Sequence, residues 1–238
     1  MTTEHPHHQV PVVAIDGPSG VGKGTVCSRL SIVTGFHLLD SGALYRLVAL
    51  AAERAGVDVN DESALAHLAR DMPVSFSPGG AGETATVLLD QEDVGILIRT
   101  EACGTRASLV AAHPAVRLAL HELQCSFRQA PGLIADGRDM GTVVFPDADA
   151  KIFLEASVQV RAERRYKQLM GKGIGVSLAA LSDEIAERDH RDRNRPVAPL
   201  CAAADAVIID TSDSPIDSVM QQVVAVVASR GIPVQSSS

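Results

Sequence analysis

A short apolar run that turns abruptly into a glycine-rich loop constrains this chain most: Val12-Val13-Ala14-Ile15-Asp16-Gly17-Pro18-Ser19-Gly20-Val21-Gly22-Lys23-Gly24-Thr25. Val12 to Ile15 is apolar on both faces, as in a strand buried within a parallel sheet, and Val26, Leu30 and Val33 follow at helical spacing. The loop therefore joins a strand to a helix. Gly17, Gly20, Gly22 and Gly24 let the backbone bend so that successive N–H groups converge on one anion. Lys23 reads as a mobile charge, and the positive end of the following helix adds to the same field. The spacing fits the phosphate-cradling pattern Gly-x-x-x-x-Gly-Lys-[Ser/Thr] up to Lys23. Gly24 departs from it, and the hydroxyl that would reach Mg²⁺ passes to Thr25. Gly17, Pro18, Ser19, Gly20, Val21, Gly22, Lys23, Gly24 and Thr25 are thus expected to hold a nucleotide triphosphate. An ordinary glycine turn is the rival reading, and the strand, loop, lysine and helix in register argue against it.

The rest of the 238 residues bounds what surrounds this loop. Hydrophobic content of 46% supports a sizeable core, in one α/β domain or two small ones. Aromatics make up 3%, with no Trp, which disfavours a stacking platform for single-stranded nucleic acid. A net charge of −8 disfavours a long polyanion as partner and leaves local basic clusters to bind small phosphates. Cys27, Cys103, Cys125 and Cys201 are far apart, with no zinc spacing, and read as buried thiols in a reducing cytoplasm. No apolar run approaches the ~18 residues needed to cross a membrane. His5, His7 and His8 could bind a metal, but a disordered tail is the simpler expectation for the N-terminus.

Along the chain, strands are expected at 36–39, 133–136, 151–154 and 207–210 besides the first, separated by helices. That alternation predicts an α/β fold with a five-stranded parallel sheet and ligands at the carboxyl ends of its strands. Asp40-Ser41-Gly42 caps a helix that carries Tyr45 and Arg46 in its first turn. Between 73 and 95 the periodicity changes. Val74 to Phe76 and Thr84 to Leu89 read as a hairpin turning at Pro78–Gly82, with a third short strand from Val94. Ser157 is expected to cap a helix bearing Arg161, Arg164, Arg165 and Lys167, which ends at a Gly171-Lys172-Gly173 hinge.

Two further constellations carry charge. Asp136-Gly137-Arg138-Asp139 follows the third strand, where Asp136 is placed to help hold Mg²⁺, as such an acid often does through water. Glu187-Arg188-Asp189-His190-Arg191-Asp192-Arg193-Asn194-Arg195 packs four arginines into its last eight residues. A solvated helix face is the ordinary explanation of such a run. After a glycine hinge in a phosphate-binding chain, planar guanidinium donors are better read as a clamp on a transferring phosphoryl group.

Taken together these residues resemble the bacterial cytidylate kinases, from about Val12 to Arg230. The likeness rests on Ile15–Gly20 with Gly22-Lys23-Gly24-Thr25, a variant loop shared with nucleoside monophosphate kinases, and on Leu39-Asp40-Ser41-Gly42-Ala43-Leu44-Tyr45-Arg46. Ala135 to Pro146, Arg188-Asp189, Asp192-Arg193-Asn194-Arg195 and Ala198-Pro199-Leu200 complete it. The resemblance implies transfer of the γ-phosphate of ATP to CMP or dCMP with Mg²⁺. It implies Lys23, Arg138, Arg188 and Arg195 as catalytic residues, and Ser41, Tyr45, Arg46 and Arg138 as the seat of the acceptor phosphate. Ser108, Arg117 and Asp139 would read cytosine, and Arg188 and Asp192 would contact the pentose. It further implies a kinase core at 10–57 and 100–232, a lid at about 171–195, an acceptor-binding insert at 58–99, and disordered tails at 1–9 and 233–238. The sequence departs from the family at Val94-Gly95-Ile96-Leu97, where a more polar version is usual. A monomer in the cytoplasm, with no nucleic acid polymer or membrane as partner, is expected. Two rivals stay open: a kinase of this loop type with another acceptor, such as UMP or shikimate, and a nucleotide-dependent switch. Against the second, no Asn/Thr-Lys-x-Asp guanine-reading motif occurs.

Overall fold

The computed structural model describes residues 10–77, 86–171 and 173–235. In chain order these form β1 (Val12–Asp16), α1 (Lys23–Thr34), β2 (His37–Asp40), α2 (Ser41–Ala55), α3 (Glu62–Asp71), β3 (Val74–Ser77), β4 (Thr86–Leu89) and β5 (Glu92–Asp93). Then come α4 (Glu101–Val110), α5 (Pro114–Ser126), β6 (Leu133–Gly137), β7 (Ala150–Glu155), α6 (Val158–Met170), α7 (Leu178–Asn194), β8 (Val207–Asp210) and α8 (Ile216–Ser229). A five-stranded sheet in the order β2-β6-β1-β7-β8 is parallel throughout.

Alternation along β1 builds the two cores. Val12 and Ala14 point to one face, where they join Leu44, Leu47, Val110 and Leu120 from α2, α4 and α5. Val13 and Ile15 point to the other, where they meet Val26, Leu30, Val219 and Val223 from α1 and α8. All four are fully buried, as a central strand of a doubly covered sheet requires. The carboxyl ends of β1, β2 and β6 lie level, with Asp40 beside Asp136 and Asp16 beside Gly137.

β3, β4 and β5 form a separate antiparallel sheet. Its third strand is Glu92–Asp93 rather than a strand begun by Val94. Val94 instead donates to the Val87 carbonyl at 3.0 Å and is fully buried, because its apolar side chain closes the insert against the core. The expected turn at Pro78–Gly82 lies outside the described residues, as do Lys172 of the expected hinge, the tail 1–9 and residues 236–238. Residues 233–235 do not fray as expected: Val234 packs on the α1–α8 core and the Gln235 N–H donates to Val33 at 2.8 Å. The cysteine expectation also needs correcting, since Cys201 is exposed and Cys125 half-buried.

Candidate active site

Gly22 caps α1 in the left-handed conformation, φ 98°, so the loop can swing directly into the helix. Gly17 is needed for a steric reason: a Cβ there would lie 2.1 Å from the Leu154 carbonyl oxygen of β7. Lys23 is not the exposed, mobile charge the sequence suggests. It is 6% exposed, and its Nζ donates to the Gly17 and Pro18 carbonyls at 2.8 and 2.9 Å, because the loop wraps over it. Burial, and secondarily the nearby Arg138 charge, lowers its pKa to about 8. Asp136, facing it from the end of β6, is raised to about 7 by burial, with Lys23 opposing the rise and Asp40 adding to it.

The opposite wall is organised around two acidic residues. Asp192 of α7 accepts from the Ser108 hydroxyl at 2.8 Å and from Arg138 Nε at 3.4 Å, with Arg188 Nε 4.0 Å away. Burial alone would raise its carboxyl, yet Arg138, Arg188 and the Ser108 hydroxyl hold it below the usual carboxylate range. Arg188 is lowered to about 10 by burial and by repulsion from Arg138. Asp139 lies between two guanidinium groups, with Arg117 on Oδ2 and Arg195 on Oδ1 at 3.4 Å. Arg117 also stands 5.6 Å over the Tyr45 ring. Arg46 donates to the Ile98 carbonyl at 2.6 Å and to the Thr100 carbonyl at 3.1 Å, where the insert rejoins the core.

These elements enclose one cleft of about 850 Å³. Ser19 to Thr25 line one end. Ser41, Tyr45, Arg46, Ser108, Asp136, Arg138, Asp139, Arg188, Asp192 and Arg195 line the rest. Gly17 and Pro18 of the loop lie outside the cleft lining, as does Arg117, which bonds Asp139 from outside it. The Val94–Leu97 departure leaves Ile96 86% exposed and outside the cleft lining.

Sequence reasoning missed three supports of this cleft. Arg161 of α6 is 2% exposed and fully engaged: Nε on the Ala156 carbonyl at 3.0 Å, Nη1 on Ser19 O at 3.1 Å, and both Nη atoms on Asp189. Thr211, after β8, donates to the Val21 carbonyl at 3.1 Å while Arg164 bonds Thr211 itself. Asp16 accepts from the Met140 and Gly141 N–H groups, both at 2.8 Å. The only available signal was composition, a basic helix and an acid before the loop. Neither indicates which distant backbone atom is met.

The family model for cytidylate kinase matches residues 13–229. A cytidylate kinase of Methylococcus capsulatus is 56% identical over 220 residues, covering 92% of this chain and 98% of that one. One from Aeromonas salmonicida is also 56% identical, over 215 residues, covering 90% and 93%. With its phosphate loop, level strand ends and arginine-bearing helix α7 in one cleft, the chain belongs to the cytidylate kinase family.

Proposed function

We propose that this chain transfers the γ-phosphate of ATP to CMP or dCMP, giving ADP and CDP or dCDP. The observation that carries this reading is the single cleft in which the phosphate loop faces Arg138, Asp139, Arg188, Asp192 and Arg195. Such transfer needs two nucleotides held in line and developing charge neutralised, with little covalent chemistry from the protein. Ser19 to Thr25 hold the ATP phosphates through loop N–H groups, the α1 N-terminus and Lys23. Lys23 releases the Gly17 and Pro18 carbonyls to do so. Ser41, Tyr45, Arg46 and Arg138 seat the acceptor phosphate, whose oxygen is already anionic near neutral pH, so no general base is needed. Ser108 and Asp139 read cytosine, with Arg117 holding Asp139 from behind, and Arg188 and Asp192 meet the pentose. Lys23, Arg138, Arg188 and Arg195 stabilise the charge that spreads over the transferring group.

The residues present fit Mg²⁺. Thr25 and Asp136 offer hard oxygen atoms at the loop, and among the described residues no cluster of three or more metal-ligating side chains occurs. That sparseness suits an ion bound mainly by phosphates and water with one carboxylate. When bound, Mg²⁺ would neutralise charge on the β- and γ-phosphates, and its presence would draw Asp136 into the ionised form. The four free thiols suit a reducing cytoplasm, and among the described residues no helix is long and apolar enough to cross a membrane.

ADP release measured with CMP, dCMP, UMP, AMP and GMP in turn tests the reading. CMP and dCMP are expected to give the highest kcat/KM. UMP as the fastest acceptor, or no ADP with CMP, would overturn it.

A further inference from the structure

We propose that Asp16 is a positioning residue that ties the acceptor-binding wall to the nucleotide loop. Asp16 is the last residue of β1, 4% exposed, and the next residue begins the phosphate loop. Its two carboxylate oxygens each accept one backbone N–H, from Met140 and from Gly141, at 2.8 Å. These are the first two amides of a single π-helical turn, Met140–Val144. β6 leaves its ladder at Gly137, opposite Asp16, so Arg138 and Asp139 have no strand partner to fix their backbone. The Asp16 clamp is the next fixed point after them.

Ordinarily the residue at the start of such a turn would cap it with its own carboxylate. Asp139 occupies that place and makes no such bond. Asp16 supplies the cap from across the sheet, which leaves Asp139 free to face the cleft between Arg117 and Arg195. Gly141 keeps the approach close. A Cβ there would lie 3.2 Å from the Lys151 stem and 3.4 Å from Asp16 Oδ2. A single carboxylate thereby sets the distance between the loop proposed for ATP and the residues proposed for CMP, and the inference rests on that reading of the cleft.

Steady-state kinetics of Asp16→Ala and Asp16→Asn test it. KM for CMP is expected to rise about tenfold in Asp16→Ala and about threefold in Asp16→Asn, whose Oδ1 still accepts one amide. KM for ATP should stay within about twofold of the parent in both, since the loop keeps its own glycines and β1 ladder. Equal rises for both substrates, or an unchanged KM for CMP, would overturn the assignment. If Asp16→Ala does not fold, amide exchange in Asp16→Asn replaces it. One of the Met140 and Gly141 amides should then exchange faster than in the parent, and unchanged protection of both would overturn the clamp. A parent that prefers another acceptor would sink the CMP reading instead, and the clamp would then be judged on that acceptor's KM against that for ATP.

Discussion

Arg161 of α6 and Asp189 of α7 form a buried two-pronged ion pair, and the same guanidinium reaches the Ser19 carbonyl of the nucleotide loop at 3.1 Å. Arg161 is thus shared between the loop and the helix that carries Arg188, Asp192 and the adjacent Arg195. A fork of this geometry cannot be replaced by a point charge without losing one of its bonds.

Removing one partner of a buried pair strands the other charge away from water. Asp189→Ala is therefore expected to destabilise the fold by about 3–5 kcal/mol, and Asp189→Asn by less, because its amide oxygen still accepts one bond. Urea denaturation of the three proteins measures this. A loss below about 1 kcal/mol in Asp189→Ala would mean the pair is no better than a surface contact.

Lys23→Met should abolish transfer. Its Nζ lies within the loop on the Gly17 and Pro18 carbonyls, and a preorganised cation aimed at the transferring phosphates is worth about 3 kcal/mol or more in the transition state. kcat/KM is expected to fall at least ~100-fold. Retention within about threefold would remove Lys23 from phosphate binding.

The strand-loop-helix around Lys23 was legible because periodicity and glycine spacing are local signals. So were the caps at Asp40 and Ser157, each of which accepts from an N–H three residues on. Burial of Lys23 was not legible, since it follows from the loop folding over its own side chain. Asp16 meets Met140 across 124 residues, and Arg161 meets Ser19 across 142. No window of sequence reports which backbone atom a distant side chain will find. Val94-Gly95-Ile96-Leu97 was legible only as a departure from the family's pattern: Val94 and Ile98, four apart, turn inward, whereas Ile96 and Leu97 are exposed.

Burial raises the Asp16 carboxyl from 3.8 to about 6, despite the two amides that favour its charge. Between about pH 4 and 6 the folded chain keeps a proton there that the unfolded chain has released. Stability from this group is therefore full below about pH 4 and lost as pH rises through 6. One pKa unit corresponds to ~1.4 kcal/mol, so ionised Asp16 costs the ligand-free fold about 3 kcal/mol by pH 7. Asp136, raised to about 7, extends the same trend. The urea midpoint of the ligand-free protein should be higher at pH 5 than at pH 7.5. Asp16→Asn should flatten that difference, and an identical slope in both proteins would show that Asp16 does not titrate in this window.

The proposed reading of cytosine assigns base selection to Asp139. Cytosine offers an amino donor at N4, whereas uracil presents an acceptor, O4, at the same place. Asp139 is 3% exposed, and Arg117 and Arg195 each occupy one lone pair on one of its two oxygens. The lone pairs left over can accept from N4 and only repel O4. A buried mismatch of this kind costs about 1–3 kcal/mol, more when charged, which corresponds to a CMP preference of about tenfold to a hundredfold. Asp139→Asn should narrow that preference, because the amide can turn its NH₂ toward O4, while kcat/KM for CMP falls as Arg117 and Arg195 lose their anion. The measurement is kcat/KM for CMP and UMP in both proteins. An unchanged CMP:UMP ratio, with activity otherwise retained, would leave Asp139 as a brace between two arginines and move base reading to Ser108.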